Sequence, residues 1–125
     1  MTESGAFGWR QVMGAAAGGS LVLDEGVGAR CAQHCDVLIA KLEGLIDQAK
    51  YLADVKGLGT LPSGVAVATK FSRLADGGEY SMVQALTDHI TEVQAMKDVF
   101  LQIEAQYAAT DQATADTLGV IDPGA

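Results

Sequence analysis

Positive charge is scarce in this chain: eight basic residues stand against sixteen acidic ones, for a net charge of -8 over 125 residues. A surface of that sign repels phosphate backbones and anionic headgroups, so nucleic acid is excluded as a partner and no basic stripe offers a footprint for it. Cysteine is nearly absent too, with only Cys31 and Cys35. Four residues apart on one helix, they suit a relaxed disulfide badly and build no secreted-domain framework, which makes folding in a reducing cytoplasm the default. No apolar run approaches the roughly 18 residues of a membrane span, so no membrane insertion is expected. The most signal-like stretch, Val12 to Leu23, is diluted by glycine and has no basic start beyond Arg10, so a cleaved leader is not expected either. Strand patterns are missing throughout. What is present is 49% hydrophobic residues, enough for a single domain of this length to build a core without staples.

Seven of the fifteen glycines fall in the first 28 residues, mixed with alanine and serine in Gly14–Ser20, and residues 1–20 read as a flexible arm. Trp9, flanked by Phe7 and Val12, is the exception; it either docks on a partner or collapses onto its own body. From about Leu23 to Lys56 the pattern turns helical, with Val27, Cys31, Cys35, Leu38, Leu42, Leu45, Ala49 and Leu52 three or four apart, a heptad seam. Gly57 is placed to cap that helix, Pro62 to stop its continuation, and Ser63 to cap the next one. A second helix is expected from Ser63 to about Leu74, and Asp76-Gly77-Gly78 interrupts it. A third starts near Ser81, carries Val83, Leu86, Ile90, Val93, Met96, Phe100, Ile103 and Tyr107, and fades between Asp111 and Leu118. Residues 119–125 read as a tail with Pro123 ending all regularity. The expected fold is all-α: an antiparallel helical hairpin over residues 21–118, its second arm broken at Gly77-Gly78.

A hairpin alone leaves two apolar stripes bare, and such patches mark interaction surfaces, so a four-helix dimer is expected. Its seam residues are Leu38, Leu42, Leu45, Leu52, Leu86, Ile90, Val93, Phe100 and Ile103. Periodicity does not choose between a second copy and a different chain, and folding Phe7 and Trp9 back over the stripe is the alternative to both.

Chemistry-bearing clusters are few. Cys31, His34 and Cys35 share adjoining helix faces, but zinc needs four ligands, and both thiols fall on the seam where small apolar side chains belong. His89 is the conceivable fourth ligand, and nothing in the sequence places it opposite His34. No nucleophile motif, phosphate-cradling loop or paired-carboxylate signature stands out from the helical background, so no catalytic residue, cofactor or metal is assigned and no enzyme is expected. The cluster with most to say is Tyr107-Ala-Ala-Thr-Asp111, which puts an aromatic ring and a carboxylate one turn apart. From Asp98 onward the chain has five acidic residues and no basic one. A tyrosine beside an acid on such a helix end makes an epitope that a partner with a basic rim can read. The plainer reading leaves Tyr107 as the last core residue and Asp111 as surface.

An acidic two-helix hairpin with Tyr-x-x-x-Asp just after its second arm resembles the actinobacterial type VII (ESX) secretion substrates, most closely the EspC-like branch related to the WXG-type proteins. The resemblance runs from Leu23 to Leu118, through Gly57–Gly64 before Lys70-Phe71 and His89–Phe100 before Tyr107. It implies a non-enzymatic protein that folds in the cytoplasm, pairs as a helical bundle and is exported folded by a membrane-bound ATPase. Tyr107 and Asp111 match the two named positions of that family's carboxyl-terminal signal. The family's Trp-x-Gly turn is missing, since the inter-helix segment has Leu58-Gly59 and Leu61-Pro62 and Trp9 is not followed two residues later by glycine. That departure favours a heterodimer whose partner carries the turn. The competing readings are a cytosolic helical adaptor or chaperone that caps a partner's apolar helices, and a metal- or thiol-responsive bundle built on Cys31, His34 and Cys35.

Overall fold

The structure, a computed structural model, describes the backbone of residues 2–120 and the side chains of residues 8–119. Four helices follow in order: α1 (Thr2–Ala17), α2 (Val27–Leu52), α3 (Pro62–Ala75) and α4 (Met82–Val120). No strand occurs among the described residues, and the fold class is all-α. Of the tail expected over residues 119–125, Gly119 and Val120 belong to α4, and the rest lies outside the described residues, as does the side chain of Phe7.

Several element boundaries differ from the sequence reading. Residues 2–17, expected as part of a flexible arm, form α1 instead. Glycine and alanine there leave little side chain, yet Trp9, Val12, Met13 and Ala16 recur at three- and four-residue steps and supply one apolar stripe. Helix α2 starts at Val27 rather than Leu23, because Gly26 adopts φ 81° and its carbonyl receives the Arg30 amide. It also ends before Gly57. The Ala53 amide is shared between the Ala49 and Lys50 carbonyls and the Asp54 amide bonds Tyr51, a tightened last turn five residues short of the expected cap. At α3 the N-cap is Leu61 in an extended conformation, with no side-chain cap, and Pro62 opens the helix, so Ser63 lies inside rather than before it. Finally, α4 does not fade after Asp111. Its last turns are alanine-rich, Thr110 and Thr117 bond their hydroxyls to the Gln106 and Ala113 carbonyls, and Gln112 donates to Asp116 at 2.9 Å.

The break at Gly77-Gly78 is built from specific bonds. The Asp76 amide reaches the Ser72 carbonyl and the Gly78 amide reaches Arg73, with Gly77 at φ 82° providing the left-handed step. A Cβ on Gly78 would collide with the Arg73 carbonyl oxygen. Ser81 then caps α4: its Oγ accepts the Gln84 amide at 3.3 Å, and it is almost wholly buried.

The chain divides into two compact units: residues 1–36 with 94–125, and residues 37–93. In the first, α1, the segment that follows it and the second half of α4 share a core. Ala16, Val99 and Ile103 are its buried centre, with Trp9, Val12, Met13, Leu21 and Leu23 packed around them. Gly28 of α2 lies so close to α4 that an added Cβ would stand 2.7 Å from the Phe100 carbonyl oxygen. One turn or two away, Lys97 and Asp36 form an ion pair at 2.6 Å. Trp9 thus packs on the chain's own body, the second of the two alternatives the sequence left open.

In the second unit, the end of α2, all of α3 and the start of α4 contribute little buried apolar side chain. Among the described residues its buried hydrophobics are Ala49, Ala75 and Val93. Thirteen of the sixteen large hydrophobics exposed in the described chain belong to this unit, against three in the first, so its apolar faces are bare.

Candidate functional site

Tyr107 and Asp111 lie one turn apart on α4 in the first unit, the tyrosine half-buried and the aspartate exposed. Both line a concavity of about 280 Å³. Its other walls are Gly19, Leu21 and Val22, from the segment between α1 and α2, and Ile103, Gln106 and Thr110 from α4. The spacing explains the meeting: Val99, Ile103, Tyr107 and Asp111 climb α4 in steps of four, so the face packed under α1 continues directly into the tyrosine and the acid.

Two polar groups of the concavity are already engaged. Gln106 Nε2 donates to the Ala17 carbonyl at 2.9 Å, satisfying one of the orphan acceptors at the end of α1, and the Thr110 hydroxyl donates to the Gln106 carbonyl at 2.9 Å. Among the described residues, the Tyr107 phenol and the Asp111 carboxylate have no side-chain partner and remain open to a ligand. An apolar base, a phenol and an acidic rim suit an aliphatic cationic side chain from a partner protein. No histidine, cysteine or lysine is among the described residues that line the concavity.

The cysteines lie elsewhere in the same unit. Cys35 is buried, Cys31 half-buried and His34 exposed, and no group of three or more potential ligands is placed to hold a metal among the described residues. Burial raises the Cys35 thiol above its ordinary value; Cys31 and Asp36 push it further, and Lys97 pulls it back. Lys97 itself is raised, chiefly by its hydrogen bond to Asp36.

The expected interface residues separate by environment. Leu38, Leu45 and Leu52 are exposed, and Leu42, Leu86, Ile90 and Phe100 are half-buried. Val93 and Ile103 are buried within the single chain, and Ile103 faces α1, so neither is open to a partner in the free protein. Sequence reasoning missed the linker residues Leu21 and Val22 as walls of the concavity, and Gln106 as the clamp on α1. The apolar run Leu21-Val22-Leu23, directly after the glycines, was the available signal. No protein-family model, curated protein or solved structure matches the chain.

Proposed function

We propose that this chain is a type VII secretion substrate, or the targeting partner of a larger co-secreted protein, recognised through Tyr107 and Asp111 and acting by helical pairing without turnover. The observation that carries the reading is the shared concavity: a phenol and a carboxylate with no side-chain partner among the described residues, one turn apart, on a helix end without a basic residue after Lys97. The bare apolar faces of residues 37–93 support the pairing half of it. On this reading α2 and α3–α4 form an antiparallel hairpin that completes a four-helix bundle with a partner chain bearing a Trp-x-Gly turn. Leu38, Leu42, Leu45, Leu52, Leu86, Ile90 and Phe100 form the seam. The secretion ATPase is the second partner, and the protein folds in the cytoplasm before export.

The test is expression of a tagged chain in a host with an intact type VII system, with recovery from cytosol and medium. Export together with a helical partner is expected, and Tyr107→Ala and Asp111→Ala should each abolish export, the exposed Asp111→Ala moving stability by less than about 1 kcal/mol. Normal export of both variants removes the signal. Retention of the wild-type chain in the cytosol with a different client favours the adaptor reading, for which the same bare faces serve.

A further inference from the structure

The face of α4 that carries Tyr107 is continuous with the face that α1 covers. Among the described residues, α1 contributes Ala16 as its one fully buried side chain to the contact with Val99 and Ile103, with Trp9, Val12 and Met13 partly buried around it. The one side-chain hydrogen bond joining α1 to α4 among the described residues is Gln106 to Ala17. The helix includes Gly5, Gly8 and Gly14 and runs into Gly18-Gly19, where Gly19 takes φ 79°. Each interior glycine weakens a helix relative to alanine, and a segment of 16 residues with this content has little helicity of its own once undocked. The linker that follows supplies Leu21 and Val22 beside Tyr107.

We propose that α1 and the residues up to Val22 are a displaceable strap that holds Tyr107 half-covered in the free chain and exposes it when α1 leaves the Val99–Ile103 face. The inference rests on the Tyr107–Asp111 reading for its meaning, since it makes presentation of that pair conditional on release of α1. Opening and closing are set by helix propensity, so they can be tuned in both directions without touching the concavity. Gly8 and Gly14 have open space where a Cβ would go, so Gly8→Ala/Gly14→Ala tightens the strap, whereas Ala16→Asp places a charge in its buried centre and releases it.

The experiment is nitration of the full-length protein with tetranitromethane, followed by peptide mass mapping of the three tyrosines. Tyr51 and Tyr80, 80% and 63% exposed, serve as internal references. Tyr107 should react more slowly than either in the wild type. It should slow further in Gly8→Ala/Gly14→Ala, by up to about 25-fold where reaction passes through the open form, at about fivefold per glycine replaced. In Ala16→Asp it should rise to the rate of the references, with the emission of Trp9, the single tryptophan, shifting to the red. Equal Tyr107 rates in the wild type and the tightened variant overturn the strap whether or not Ala16→Asp folds. A released Trp9 without faster Tyr107 nitration overturns it as well. Neither result depends on export: if Tyr107→Ala is secreted normally, the signal reading fails while the nitration rates still decide the strap.

Discussion

The two units of this chain solve the same problem in opposite ways. Residues 1–36 with 94–125 carry three basic and nine acidic residues and close their apolar stripe with a helix of their own, α1. Residues 37–93 carry five basic and seven acidic residues, no equivalent covering helix, and leucines and aromatics that stay open, Leu52 at 59%, Phe71 at 54% and Leu74 at 57%. Strong like charge favours solubility and discourages contact with acidic surfaces, while a nearly balanced apolar face invites association. The unit with the Tyr107–Asp111 pair covers its own apolar stripe, and the unit without it leaves its large apolar side chains exposed.

That contrast is broken most directly by truncating apolar side chains on each side. Ile103→Ala removes a buried side chain at the centre of the first unit and should destabilise the isolated protein by about 2–5 kcal/mol. Leu52→Ala should cost the isolated protein less than about 1 kcal/mol, since its side chain is already in water. Urea unfolding of the two variants checks the pair. If Leu52→Ala proves as costly as Ile103→Ala, the second unit is sealed in solution.

Two glycines of α2 sharpen the comparison with opposite signs. Gly28, in the first unit, faces the Phe100 carbonyl, and Gly28→Ala should cost about 1–3 kcal/mol by forcing α2 and α4 apart there. Gly44, in the second, has nothing within contact distance of a new Cβ, and Gly44→Ala should stabilise by about 0.5–1 kcal/mol. Thermal melts of both variants, run beside the wild type, read the signs directly.

Smaller effects come from the thiols and the ion pair. Cys35 should be alkylated by iodoacetamide well behind Cys31 between pH 8 and 9, because burial disfavours its thiolate; mass mapping of labelled peptides checks the order. The smallest effect belongs to Lys97 and Asp36. A lysine whose folded value is raised contributes stability in full below its ordinary value of 10.5 and loses it as pH rises through the folded value. The melting difference between wild type and Lys97→Met should therefore be constant at neutral pH and shrink above 10.5, and a difference that grows there contradicts the pairing.

Much of the helical order was legible in the sequence because it rests on local chemistry. Pro62, Gly77 and Ser81 act within one turn of themselves, and the elements on either side of them were placed to within a few residues. The end of α2 was misjudged because Gly57 looked like a cap, whereas Val55 and Lys56 had already left the helix. The largest difference, α1, has a non-local cause. Its glycines argue against a helix, and what favours one is the Val99–Ile103 face more than 80 residues along the chain, which no window of sequence around Trp9 contains. Of the candidate site, the tyrosine and the acid were visible as a spacing. Their walls, Leu21 and Val22, were not, because that contact exists only once α1 has docked.

The last turns of α4, residues 112–119, lie beyond the concavity and are exposed on every side. A helix with no tertiary contact does not melt with the body of the protein; it obeys helix–coil statistics, seeded at its packed end and fraying from the free one. Ellipticity should accordingly fall in a gradual slope before the cooperative transition, and amides beyond Tyr107 should exchange with solvent far sooner than those at Val99. The segment just past Asp111 thus carries an order of its own, set by temperature and composition rather than by the stability of the fold it extends.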